Sequence, residues 1–482
     1  MPKATRAIYV MSDLHLGGEA ESGERGFRLC THEPQLSAFI RSLSALDAAP
    51  SVELVINGDF VDFLAEAAYA RPPAWSAFHY PESVAIESLD RIAARSAEVF
   101  DALRAFLAKG HRLVVLPGNH DSELNLPAVR RRLRKHIGAD SGGDYEFVGY
   151  GEAYRVGDVL IEHGDRLDDM NRVDHTALRH LGALVSRSMP VGKDSEFDPP
   201  PGSKLVANVI NNIKKRYAFI DLLKPEVEAA FPLILALEPG RRDDLLVVAK
   251  ALAESKRRRY QPQIRFGASN IGARSEGTDE AGTSYAAHDE LDQVLLDTIG
   301  RVLFPTVPAE RSGSPDIAEP IAARSFFRSF WSLLTGEKDE TWESRLVDLF
   351  DALRAFERTN SFLRSEEPDS PYYKEATRLS SGTVRHVIFG HTHFAKAAVL
   401  KNGALYFNTG TWADILELPR DILDTTRTFL PLAELEQLVR DLMANDFSRH
   451  VAFRPTYVRI EQNAAGLSIA QELCDYTEGS IP

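Results

Sequence analysis

Cysteine is nearly missing from this chain: Cys30 and Cys474 are the only two in 482 residues, near opposite ends. Two distant thiols supply neither a disulfide framework nor a cysteine-based zinc site, and a reducing cytoplasm is the default setting. Long apolar runs are missing too. The longest, residues 229–237, has nine residues and contains Pro232, whereas crossing a bilayer takes about 20. The expectation is no integral membrane insertion, with peripheral contact at a membrane surface left open. Ala7-Ile8-Tyr9-Val10-Met11 is too short for a secretory apolar core and reads as a strand. A basic excess is also lacking. Asp and Glu number 70 against 56 Lys and Arg, a formal charge of −14. A duplex nucleic-acid binder usually presents a basic surface, so that class is disfavoured. A phosphorylated small molecule is not, because a local metal ion can reverse the field.

The rest of the composition is ordinary for a globular protein, with 44% hydrophobic and 26% charged residues. The length predicts two or three domains. Several short apolar runs read as buried strands, and each stops at a polar loop. Residues 7–11 lead into Ser12-Asp13-Leu14-His15, residues 52–56 into Asn57-Gly58-Asp59, and residues 112–115 into Leu116-Pro117-Gly118-Asn119-His120-Asp121. Residues 159–162 lead into His163-Gly164-Asp165, and residues 385–389 into Gly390-His391-Thr392-His393. In open α/β sheets, sites are built at such strand ends. Taken singly, each loop reads more simply as a turn or a helix cap.

Between the strands, apolar spacing predicts helices over 35–46, 83–109 and 123–136. The last carries Arg130, Arg131, Arg132, Arg134 and Lys135, which reads as a solvated face or as a basic rim that attracts phosphate. Strand, loop and helix alternate as in an α/β layered core. The rhythm stops at Arg172. Residues 172–381 are dominated by helical patterns, among them 176–185, 206–219, 289–303, 325–334 and 343–356, with breakers at Pro199-Pro200-Pro201-Gly202 and in the Gly-rich 267–282. Core-like strands resume afterwards. The expected organisation is therefore a core in two parts, 1–171 and 382–482, around a helical insertion at 172–381 that acts as a cap or specificity domain. Asn402-Gly403 marks a hairpin, and a helix at 432–443 precedes two final strands.

Five strand ends thus offer Asp13 and His15, Asp59, Asn119 and His120, His163, and His391 with His393. Imidazole, carboxylate and amide oxygen together suit Mn²⁺, Fe²⁺ or Zn²⁺. Without His120, seven ligands are too many for one tetrahedral ion but divide well between two. A shared carboxylate, naturally Asp59, would hold a pair about 3.5–4 Å apart.

The ordered set Asp-x-His, Gly-Asp, Gly-Asn-His-Asp, His and Gly-His-x-His resembles that of the calcineurin-like metallophosphoesterases, over roughly residues 5–170 and 383–415. The resemblance implies an α/β fold, a four-layer αββα sandwich, here with a large, mainly helical insertion. It implies two divalent cations, Mn²⁺ first and Fe²⁺ or Zn²⁺ as alternatives. Asp13, His15 and His393 would hold one, Asn119, His163 and His391 the other, and Asp59 would bridge them. His120 would be the catalytic histidine, oriented by Asp121, with Asp165 as a further supporting group. The implied reaction is hydrolysis of a phosphodiester, phosphomonoester or pyrophosphate bond. Hydroxide activated by the cations would attack phosphorus, and His120 would stabilise the developing charge or protonate the leaving oxygen.

The 12–16 and 163–168 segments are also similar to the branch containing UDP-2,3-diacylglucosamine pyrophosphatases. Many of those enzymes carry Arg where this chain has His120, and their insertion is smaller. The substrate is accordingly expected to be a phosphorylated small molecule, nucleotide or lipid. Residues 326–334, Phe-Phe-Arg-Ser-Phe-Trp-Ser-Leu-Leu, could form an apolar lid or interfacial helix, or ordinary core, and Lys256-Arg257-Arg258-Arg259 a phosphate grip or a solvated helix end. A non-catalytic scaffold is the remaining alternative, and such members often lose ligands that are all present here.

Overall fold

The computed structural model describes residues 4–19, 26–46, 51–70, 73–215, 217–223, 346–347, 349–350, 370–417 and 432–477. Strands form at Arg6–Met11 (β1), Ser51–Asn57 (β2), Ala67–Ala70 (β3), Pro73–Trp75 (β4), Arg112–Leu116 (β5), Asp144–Phe147 (β6), Tyr154–Val156 (β7) and Val159–Ile161 (β8). The later strands are His386–Phe389 (β9), Ala395–Val399 (β10), Leu405–Thr409 (β11), Ile415–Leu416 (β12), Val451–Ala452 (β13), Thr456–Gln462 (β14) and Ser468–Asp475 (β15). Among the described residues, helices of nine or more residues are Glu33–Ser44 (α1), Glu82–Arg95 (α2), Ala97–Ala108 (α3), Pro127–His136 (α4), His175–Val185 (α5), Pro371–Leu379 (α6) and Leu432–Met443 (α7).

Two sheets carry the fold, in the orders β15-β14-β1-β2-β5-β6 and β10-β11-β9-β8-β7. The apolar runs are continuous because both faces of each sheet are covered. Along β1, Ala7, Tyr9 and Met11 join a cluster with α1, α2, α3, α4 and α5, while Ile8 and Val10 join a second cluster. That second cluster mixes Val55, Val114 and Leu116 from the first sheet with Val159, Ile161, Ile388 and Phe407 from the other. The outer face of the second sheet, through Val387, Phe389 and Tyr406, meets Tyr373 and Ala376 of α6. Helices, sheet, sheet and helix therefore stack as the four layers expected. Each fully buried Leu, Ile, Val or Phe contributes about 1.5–3 kcal/mol relative to exposure.

Parallel pairing of β1 with β2 and of β2 with β5 brings the ends of three strands to one edge. β8 and β9, also parallel, bring theirs together in the second sheet. The site loops leave from these edges.

Two helices differ from expectation. Residues 83–109 form α2 and α3, broken at Ser96, where φ is −95° and ψ 30°. The Ser96 carbonyl accepts from the Val99 and Phe100 amides at 3.0 and 3.2 Å, which starts a new helix, and its hydroxyl donates to Glu33 at 3.0 Å. Ile92 and Val99 stand seven residues apart, about two turns, so the apolar face runs unbroken across the kink. Residues 123–136 begin as a 3-10 turn, Ser122–Asn125, and α4 starts only at Pro127, whose fixed φ suits a first helical position.

The basic run of α4 is occupied by neighbours. Arg132 pairs with Asp90 of α2 through two contacts of 2.6 Å, and Arg130 and Arg134 lie over Phe147 and Tyr145. Those three form structural contacts rather than a phosphate rim.

The chain divides into two compact units, one made of Met1–Glu226, Asn360–Pro419 and Arg440–Pro482, the other of Val227–Thr359 and Arg420–Val439. The first holds both sheets and every candidate site residue. The expected helices at 289–303 and 325–334, most of 343–356, the 267–282 stretch, Lys256-Arg257-Arg258-Arg259 and the 326–334 segment lie outside the described residues.

Candidate metal centre

Backbone hydrogen bonds zip the first two site loops together. The amides of Leu14 and His15 both donate to the Asp59 carbonyl at 2.9 Å, Leu16 donates to Phe60 at 3.1 Å, and Asp62 returns a bond to Leu16 at 2.9 Å. The third loop joins through the His120 amide, which donates to Asp59 Oδ1 at 2.9 Å. The other sheet is tied in by Asn57 Nδ2 on the Glu162 carbonyl at 2.9 Å and by the His391 amide on Asp13 Oδ2 at 3.0 Å.

This framework gathers the predicted ligands into adjoining clusters. Asp13, His15 and His393 form one, and Asp59, His163 and His391 another, each with its ligand atoms within 4.8 Å of one another. His15 Nε2 lies 3.1 Å from His393 Nε2 and 3.7 Å from Asp59 Oδ2. Asp59 Oδ2 is also 3.3 Å from His163 Nε2. Asp59 thus faces both clusters, as a shared carboxylate must.

The donor set fits cations. Asp13 Oδ2 is engaged by Ser12 and the His391 amide, whereas Asp13 Oδ1, Asn119 Oδ1 and His163 Nε2 are buried and make no hydrogen bond among the described residues. Leaving such atoms unmatched costs about 1–3 kcal/mol each, more for a charged group. His163 Nδ1 donates to the Asn57 carbonyl at 2.9 Å, which fixes the tautomer with the Nε2 lone pair toward Asp59.

Strain concentrates in the same residues. Among the described residues, eight other than glycine have positive φ, and five of them are Asp13 (54°), His15 (46°), Asp59 (49°), His391 (69°) and His393 (63°). Each left-handed residue costs about 1–3 kcal/mol and persists only where surroundings and function demand it. Gly118 serves by its lack of a side chain: a Cβ there would lie 2.2 Å from Asp59 Oδ1 and 2.7 Å from His163 Nε2.

Residues 6–197 match the family model described as calcineurin-like phosphoesterase. That stretch, residues 6–197, is a calcineurin-like phosphoesterase domain. No curated protein and no solved structure matches the chain significantly. The match supports metal-dependent phosphoester hydrolysis in general. The match covers four of the five site loops, and the structure adds the fifth, with His391 and His393, through β9 beside β8.

Asp121 does not take the place expected for it. Its carboxylate is buried and accepts from the amides of Gly118 at 2.6 Å and Phe60 at 2.8 Å, so it braces the loop rather than orienting His120. The carboxylate facing His120 Nδ1 is Asp62, at 3.2 Å. Asp62 Oδ2 is also 3.2 Å from His15 Nδ1, and the His15 and His120 rings meet edge-on with centroids 4.7 Å apart. Asp62 belongs to none of the sequence motifs. Its signal was a second Asp three residues after Asp59. Asp165 Oδ2 accepts from the Val173 amide at 3.4 Å, while Asp168 Oδ2 lies 3.2 Å from His391 Nε2.

The electrostatics call for positive charge. Burial alone would raise the Asp59 and Asp62 carboxyls, but the imidazoles of His163 and His120 beside Asp59, and of His120 and His15 beside Asp62, hold both below the usual range. Burial would lower His163, yet Asp59 and Asp13 push it well above its ordinary value. A cation at Nε2 would satisfy the field that otherwise favours a proton there, so protons and metal compete for this site. Among the described residues, no helix is long and apolar enough to cross a membrane.

Proposed function

We propose that this protein hydrolyses a phosphodiester, phosphomonoester or pyrophosphate bond with two divalent cations, Mn²⁺ first. Asp13, His15 and His393 hold one, Asn119, His163 and His391 hold the other, and Asp59 bridges. Bound there, the cations supply Lewis acidity toward phosphate oxygens and a water nucleophile at neutral pH. His120 stands beside them with Nδ1 turned to Asp62, which leaves Nε2 to meet the substrate and to stabilise charge or hand a proton to the leaving oxygen. Asp62 holds that ring in place, and Asp121 braces the loop that carries it.

The carrying observation is the convergence of six donors from four loops on two sheets, five of them in left-handed backbone. Substrate choice is assigned in this reading to residues 172–381, outside the common machinery. Cys30 and Cys474 are both free thiols, which supports a reducing, cytoplasmic setting.

The test is hydrolysis of bis-p-nitrophenyl phosphate and p-nitrophenyl phosphate with added Mn²⁺. Wild type should turn over at least one, and Asp59→Asn neither. No turnover of either by a chain carrying two metals sinks the enzyme reading. His120→Ala should cut turnover far more than metal content, and equal loss of both would make His120 a ligand. A panel of nucleotide, cyclic dinucleotide and UDP-lipid phosphoesters then resolves the substrate class.

A further inference from the structure

We propose that Asp168 is the positioning residue of His391, holding its ring so that Nδ1, not Nε2, is presented to the second cation. This rests on the two-cation reading above.

His391 is arranged differently from His15 and His163. In those rings Nδ1 is turned outward, to Asp62 Oδ2 at 3.2 Å and to the Asn57 carbonyl at 2.9 Å, and Nε2 faces the cluster. In His391 it is Nε2 that is taken, by Asp168 Oδ2 at 3.2 Å. An ionised carboxylate only accepts, so Nε2 carries the hydrogen and the lone pair stays on Nδ1.

Asp168 is itself held in register. Its Oδ1 accepts from the Met170 amide at 2.8 Å and its Oδ2 from Asn171 Nδ2 at 2.8 Å. The loop is then stapled to the short helix Pro201–Leu205, because the Gly202 amide donates to the Met170 carbonyl at 2.8 Å. Gly202 has no side chain where one would collide: a Cβ there would lie 2.1 Å from Asn171 Oδ1. The chain of contacts runs from Gly202 through Asn171 and Asp168 to His391. It absorbs two sequence features the catalytic motifs leave unused, the Asp168-Asp169-Met170-Asn171 stretch and the Pro199-Pro200-Pro201-Gly202 breaker.

The experiment is calorimetric titration of Mn²⁺ into the metal-free full chain, with metal content measured after dialysis. Wild type should show two binding events. Asp168→Ala should weaken one of them by about 10–100-fold and leave the other within about twofold, the usual cost of removing a carboxylate behind a ligating histidine. Asn171→Ala and Gly202→Ala, which touch no candidate ligand, should weaken the same event by a smaller factor. Circular dichroism and the unfolding midpoint of each metal-free variant report whether the fold persists. Two events of wild-type affinity in folded Asp168→Ala, or equal weakening of both, overturns the proposal. A wild-type chain that takes up fewer than two ions overturns the two-cation reading, and this proposal with it.

Discussion

Asp62→Asn tests the division of labour around His120 most directly. One carboxylate faces two imidazoles, with Oδ1 3.2 Å from His120 Nδ1 and Oδ2 3.2 Å from His15 Nδ1. The amide keeps the shape but has one acceptor oxygen, so one ring N–H is left facing an NH₂ group. Removing the charge beside the His120 ring, an ion pair at 3.2 Å, costs on the order of a charge-assisted contact, about 1.5–3 kcal/mol, and at about 1.4 kcal/mol per tenfold the loss in kcat should be about 10–100-fold. The Asp62 carboxyl lies well below its ordinary value, because His120 and His15 outweigh its burial. A depressed carboxyl contributes its stability above the unfolded pKa of about 3.9 and loses it only as pH falls below that. At neutral pH the wild-type group is therefore fully ionised, and the comparison is free of partial protonation. The assay is kcat for bis-p-nitrophenyl phosphate at saturating Mn²⁺, with metal content measured in parallel. Asp121→Asn is the control: it should lower the unfolding midpoint, because an NH₂ group would then face the Gly118 or Phe60 amide. Full metal content and wild-type kcat in Asp62→Asn would refute the assignment, all the more if Asp121→Asn lost kcat without losing stability.

Gly118→Ala should abolish tight binding of at least one metal and reduce kcat/KM by more than about 100-fold, since its Cβ would lie 2.2 Å from Asp59 Oδ1; metal analysis and kinetics check it. Dialysis against a chelator should remove activity and lower the thermal midpoint, and Mn²⁺ should restore both, with about 2.7 kcal/mol returning at a hundredfold excess over Kd. Burial pushes the Glu123 carboxyl up to about 8, so its folded pKa lies above the unfolded one; stability is full below about pH 4 and is lost as pH rises through about 8. Glu123→Gln keeps an oxygen for the His79 amide at 2.7 Å and should flatten that loss, read as urea midpoints at about pH 5 and about pH 9.

Much of this was legible in the sequence for a definite reason. Strands buried on both faces give unbroken apolar runs, and the ligands sit where those runs stop, so Asp13, Asp59, Asn119, His163 and His391 announce themselves by position. Partnerships between loops were not legible. Asp121 was expected to orient His120 because it is next in sequence, yet neighbouring side chains in non-helical backbone diverge. Asp121 turns to the Gly118 and Phe60 amides, while Asp62 arrives from another strand end. Asp168 was hidden for the same reason, since nothing near it in the chain foretells His391, 223 residues away. The break at Ser96 escaped because the apolar face continues across it, and what marks it is a buried hydroxyl bond to Glu33.

The order in which the loops are bound to one another has a consequence for metal loading. The Asp13–Leu16 loop and the Asp59–Asp62 loop share a ladder of backbone bonds, from Asp13 on the Gly58 carbonyl at 3.1 Å to Asp62 on Leu16 at 2.9 Å. Asp13, His15 and Asp59, all left-handed, are thereby fixed relative to one another within the chain's own hydrogen bonding. On the other side His163 is fixed by Asn57, but His391 depends on the Asp168–Asn171 loop, and Asn119 Oδ1 is buried without a hydrogen bond among the described residues. Preorganisation lowers the cost of binding, so the Asp13, His15 and His393 site should fill first and more tightly, and the site around Asn119 and His391 second. Stepwise Mn²⁺ titration of Asn119→Ala checks this. Loss confined to the weaker event supports the order, and loss of the tighter one reverses it.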